Sequence, residues 1–112
     1  MDERIIKINQ AADYLKMRLE GFVPTVGIIL GSGLGKLADA IEDPIVIRYS
    51  DIPNFALSTA IGHKGNFLFG KLGGKNVCAM QGRYHYYEGY TMEQVTLPVR
   101  VMKVLGVSYL FV

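Results

Sequence analysis

An α/β fold is what this 112-residue sequence predicts, and three observations carry that expectation. Segments with the apolar repeat of an amphipathic helix alternate with short, wholly apolar runs of strand length. A glycine-rich loop joins one of those runs directly to a helical segment, the connection found where ligand loops leave the carboxyl ends of strands in an open α/β sheet. The length suits one domain, or part of one, with a modest core.

Ile5, Ile8, Ala12, Leu15 and Leu19 recur at steps of three and four with polar residues between them, so residues about 3 to 20 read as an amphipathic helix. Gly21 stops it and Pro24 follows. "TVGIIL", 25 to 30, is short and apolar, as a strand buried on both faces would be. "KLADAIED", 36 to 43, places Leu37, Ala38 and Ile41 on one side of a short helix that Pro44 ends. "PIVIRYS", 44 to 50, reads as a second strand and "SDIPNF" as a loop. "NFLFGKL" and "KNVCAMQ" flank Gly73 and Gly74, which predicts an antiparallel hairpin over 66 to 81. "TMEQ", 91 to 94, has capping-box spacing and opens a helix from about 92 to 105, closed by Gly106, with a kink expected at Pro98. "VSYLFV", 107 to 112, is a last apolar strand. Such a strand at the tip of a chain would be an exposed edge, so the sequence reads as the amino-terminal part, 1–112, of a single larger domain.

Twelve basic against ten acidic residues give a net charge of +2, scattered along the chain, which argues against a nucleic-acid partner. Cys78 alone cannot form an internal disulfide, and no apolar run of about 18 or more residues appears. These features predict a cytoplasmic protein with no membrane partner.

"GSGLGK", 31 to 36, fails both nucleotide-phosphate fingerprints. The dinucleotide pattern requires glycine where Lys36 stands, and the P-loop requires a Gly-Lys pair followed by Ser or Thr, where this sequence has Leu37. What survives is a strand, a Gly-Ser-Gly-Leu-Gly turn and a short helix, which would aim backbone N–H groups and the Ser32 hydroxyl at a small anion. A tight turn without a ligand explains the same residues equally well.

"QGRYHYYEGY", 81 to 90, is the densest polar and aromatic stretch. If it is extended, Arg83, His85 and Tyr87 line one side, and the guanidinium of Arg83 suits two phosphate oxygens. The plain alternative makes Arg83 and Glu88 a solvated ion pair and His85 a packed histidine. His63 stands in "IGHKG" between two glycines. Two histidines without clustered cysteines or carboxylates predict no metal site. Ser32 lacks the nucleophile-elbow pattern, which weakens a hydrolase reading. Cys78, in "NVCAM", reads as a small buried apolar residue.

Taken together, "GIILGSGLG", "IPNFALSTAIGHKG" and "QGRYHYYEGYTMEQVTLPVRVMKVLG" resemble the trimeric purine nucleoside phosphorylase family in order and spacing. The first loop and the Tyr-Glu-Gly-Tyr ending resemble the inosine and guanosine enzymes more than methylthioadenosine phosphorylase. The resemblance implies a mixed, partly parallel twisted sheet flanked by helices. It also implies a pentosyltransferase that converts a purine nucleoside and phosphate into free purine and ribose 1-phosphate, with no cofactor because inorganic phosphate is a substrate. By the same resemblance Ser32, His63, Arg83 and His85 bind phosphate, Tyr87 approaches the ribose, and His85 with Glu88 serves catalysis. Ala56 and Ala60 depart from the family's usual proline and valine. The family's base-recognising residues and neighbouring-subunit contacts would follow Val112, and the full-length form would be a homotrimer. The competing expectation is an inactive remnant that self-associates or pairs with a separate carboxyl half.

Overall fold

The structure, a computed structural model, describes residues 2–30, 35–55, 65–81 and 91–111. Helix α1 (Glu3–Leu19) starts at Asp2, whose carboxylate accepts from the backbone N–H of Arg4 at 2.9 Å and is held below the usual carboxylate range by that bond. The buried stripe of α1 is Ile8, Ala11, Ala12, Leu15 and Leu19. Ile5 shares the periodicity but stays half exposed, outside both clusters of the core. Glu20 takes a left-handed conformation ahead of Gly21, so two residues rather than the glycine alone turn the chain out of the helix.

Strand β1 (Val26–Leu30) leads to α2 (Gly35–Asp39), β2 (Glu42–Arg48) and a 3₁₀ turn over Tyr49–Asp51. The short helix ends at Asp39 and the strand begins before Pro44, both earlier than the sequence predicts. The reason is a β-bulge: pairing with the next strand shifts between Glu42 and Ile45, and Asp43 adopts φ +46. Proline is tolerated there because β2 lies at the edge of the sheet.

Strands β3 (Asn66–Leu72) and β4 (Lys75–Gln81) form the expected hairpin. Gly73 and Gly74 have φ values of +59 and +81, the two positive angles that a two-residue turn matched to strand twist demands. Helix α3 (Met92–Leu105) opens on a complete capping box between Thr91 and Gln94 and closes at Gly106, φ +120. It runs as one helix, with the buried Pro98 inside it, to the end that the sequence predicts. Strand β5 is shorter than predicted, Tyr109–Phe111.

The five strands make one mixed sheet in the order β2-β3-β4-β1-β5. β2, β3 and β4 are antiparallel neighbours, whereas β1 runs parallel to both β4 and β5. Thr25 seats β1 between them: its N–H donates to the Asn76 carbonyl at 2.9 Å and its carbonyl accepts from Ser108.

Strand alternation divides the core between two faces. Phe67, Phe69, Cys78 and Met80 pack with α1 and α3. Leu68, Val77, Ala79 and Ile28 pack on the opposite face with Ala38 and Ile41. The first face is covered by two long helices; among the described residues the second is covered by the short α2 segment, and a concavity of about 500 Å³ is lined by Val26, Ile28, Val77, Tyr109 and Phe111 among others.

Two substitutions test this packing. A Cβ on Gly70, opposite the bulge, would meet Ile41 Cγ2 at 2.6 Å and the Glu42 carbonyl oxygen at 2.7 Å. Gly70→Ala should therefore lower stability by about 1–3 kcal/mol in urea denaturation; unchanged stability would show that the bulge yields freely. Burial pushes the Cys78 thiol up to about 12, so the folded state holds its proton more tightly than the unfolded chain, whose thiol titrates near about 8.5. This contribution is fully present below that value and is lost as pH rises from there through 12. Cys78→Ala should consequently show a shallower fall in urea midpoint between about pH 8.5 and 11 than the parent chain.

Candidate active site

The segments singled out by the sequence join the described elements at one end of the sheet. Leu30 ends β1, Gln81 ends β4 and Asn66 begins β3, and these three are register partners: Leu30 opposite Gln81, and Gln81 opposite Asn66. Segment 31–34 carries Ser32, segment 56–64 carries His63, and segment 82–90 carries Arg83, His85, Tyr87 and Glu88. All six residues lie outside the described residues. Their chain neighbours are what the structure fixes.

The roots are held by named contacts. The N–H of Tyr49 donates to the Gly65 carbonyl at 2.8 Å, tying the chain after His63 to the end of β2. Asn66 Nδ2 donates to Gln81 Oε1 at 3.3 Å across the last rung of the β3–β4 pair. Beneath them Phe55, Tyr49 and Phe67 form a triangle of rings with centroids 5.7 to 6.3 Å apart, and Phe69 stacks on Phe67 at 4.7 Å. This aromatic platform brings Phe55, the last described residue before segment 56–64, against the strand that follows it.

The remaining roots meet on α1. Asn54, at φ +70, donates to the Lys7 carbonyl at 3.2 Å and to Gln10 Oε1 at 2.9 Å. Lys7 pairs with Glu93 at 3.7 Å, in the first turn of the helix that Thr91 caps directly after segment 82–90. That exposed ion pair contributes little energy on its own, and its value is positional. A concavity of about 380 Å³ lies among Lys7, Asn54, Thr91, Glu93, Gln94 and Leu97. Another, of about 200 Å³, runs between α1 and α3 beside Arg4 and Arg100. Neither lies at the strand ends from which the candidate ligands depart.

Among the described residues no three His, Cys, Asp or Glu side chains are grouped as metal ligands, and no helix is long and apolar enough to cross a membrane. Residues 25–112 match the family model described as the phosphorylase superfamily. The chain belongs to that family. It is 58% identical over 105 residues to purine nucleoside phosphorylase 1 of Geobacillus stearothermophilus, covering 94% of this chain and 38% of that protein. A Schistosoma mansoni purine nucleoside phosphorylase crystallised with acetate superposes with a TM-score of 0.89 at 50% identity, over 95% of this chain and 39% of the other. The S. mansoni enzyme in complex with inosine gives a TM-score of 0.87 at 48% identity, over 95% and 36% of the two chains. The chain thus spans under two fifths of the length of these relatives, and its mixed, helix-flanked sheet is the one the resemblance implies.

Sequence reasoning found the loops but missed their anchors. Asn66 and Gln81 read only as ends of a hairpin, although their equal distance from the Gly73–Gly74 turn was a legible sign that they face each other. Asn54 carried no such sign, because its partners lie on α1, 44 and 47 positions away.

Proposed function

We propose that the protein carrying this chain is a purine nucleoside phosphorylase and that residues 1–112 supply its phosphate site and part of its ribose site. One observation carries the reading: the three segments bearing the candidate ligands are rooted on a single row, Asn66, Gln81 and Leu30. Neighbouring strands lie about 4.8 Å apart. Ser32 and Arg83 follow the row by two residues and His63 precedes it by three, so chain lengths of about 7 to 11 Å suffice to bring them to one anion.

In this reading Ser32, His63, Arg83 and His85 hold inorganic phosphate, Tyr87 covers the ribose, and Glu88 orients Arg83. A phosphate oxygen attacks the anomeric carbon as the glycosidic C–N bond breaks. The bonding pair leaves with the purine nitrogen, which is then protonated, and ribose 1-phosphate remains. The sugar acquires cationic character on the way, so a fixed phosphate dianion acts both as nucleophile and as counter-charge. The reaction needs no cofactor, and the assembled protein works as a cytoplasmic homotrimer. Support comes from the family membership and from the inosine complex of the S. mansoni relative.

The test is phosphate-dependent release of hypoxanthine from inosine by the protein that carries this chain. Arg83→Ala should lower kcat/KM for phosphate by on the order of a hundredfold or more. Equal kcat/KM for parent and variant would remove Arg83 from the site. A second reading, a non-catalytic chain that self-associates, is favoured by the edge strand β5, where Tyr109, Leu110 and Phe111 are all exposed. Sedimentation velocity on residues 1–112 separates the two: concentration-dependent association that Phe111→Lys abolishes supports the second reading, and a monomer at all concentrations contradicts it.

A further inference from the structure

The half-buried Asn66 and Gln81 end a sheet face whose buried residues, Leu68, Val77, Ala79 and Ile28, are apolar, with the exposed Arg48 of β2 opposite Asn66. Phe67 and Met80 point toward α1 and α3, so strand alternation puts Asn66 and Gln81 on the other face, in line with Leu68 and Ala79. Two half-buried amides there exchange part of their hydration for a bond to each other. Their bond closes the last rung of the antiparallel pair, the position at which a strand end otherwise frays. The bond is also specific to register, since a slip by one residue would send one of the two side chains to the opposite face.

We infer that Asn66 and Gln81 form a positioning pair, which holds the segment that follows Gln81 at a fixed offset from the segment that precedes Asn66. Neither residue touches substrate in this role. The inference rests on the phosphate reading above: the tie matters to function because Arg83 and His85 lie beyond one partner and His63 beyond the other. The bond couples two segments separated by a whole hairpin in sequence, and loss of either amide removes that coupling while the Tyr49–Gly65 backbone bond still holds the chain before Asn66.

Amide NMR spectra of the 112-residue chain, without and then with inorganic phosphate, test this. Without phosphate, Asn66→Ala should move the amide resonances of residues 82 to 84, across the rung, while those of Phe69 and Cys78 deeper in the hairpin stay. With phosphate, Asn66→Ala and Gln81→Ala should each weaken apparent binding by on the order of tenfold. The double variant should be no weaker than either single one, because one bond is lost in all three. The exchanged pair, Asn66→Gln with Gln81→Asn, should restore most of the affinity. Resonances of 82 to 84 that stay in place, or variants that bind phosphate as the parent does, overturn the positioning role. A parent chain that ignores phosphate overturns the phosphate reading instead, and the functional part of this inference with it.

Discussion

Register between β3 and β4 is the constraint on which the rest of the molecule depends. A two-residue turn with both glycines at positive φ leaves one way to pair the strands, Leu72 with Lys75 and onward to Asn66 with Gln81. Because side chains alternate, that register also decides which residues enter which core: Phe67, Phe69, Cys78 and Met80 toward the helices, Leu68, Val77 and Ala79 away from them. A slip of one position would exchange the two sets and set aromatic rings against the face that α2 covers. The same register lines up the far end, where β1 joins in parallel with Leu30 beside Gln81. Turn chemistry at one end of the hairpin thus places the candidate active site at the other.

The two faces contribute unequally. Four aromatic rings and two long helices make one side a thick core, with Tyr49, Phe67, Phe69 and Leu15 fully buried. Among the described residues the second side relies on α2 and a few aliphatic residues, with a concavity beside β5. The thick face supports the loop roots, since its ring cluster includes Phe55, which precedes segment 56–64, and Phe67, which follows Asn66. Rigid support beneath and chemistry above is the arrangement in which catalytic groups on loops can be held to fractions of an ångström.

Much of this was legible in the sequence. The glycine pair announced the hairpin, "TMEQ" announced the start of α3, and the three quoted motifs announced the family. What escaped has a common physical origin, in tertiary contacts that leave no local pattern. The bulge at Asp43 arises from pairing with β3, the exposure of Ile5 from how far the neighbouring core extends, and the anchoring of Asn54 from a helix at the other end of the chain. Cys78 read as buried from its surroundings in sequence, and it is. The candidate site was legible as a set of residue types, while the placement of its roots depended on strand order: β1, sequentially first, inserts beside β4, and that insertion sets Leu30, after which Ser32's segment begins, beside Gln81.

The central claim is that three segments rooted on one row of the sheet share a single oxyanion. A crystal of the protein soaked in selenate, a tetrahedral dianion visible by anomalous scattering, tests it most directly. The account predicts one strong anomalous peak beyond the Asn66, Gln81 and Leu30 row, within hydrogen-bonding distance of Ser32, Arg83 and at least one of His63 and His85. A peak seated elsewhere, or density bridged by only one of the three segments, would contradict it.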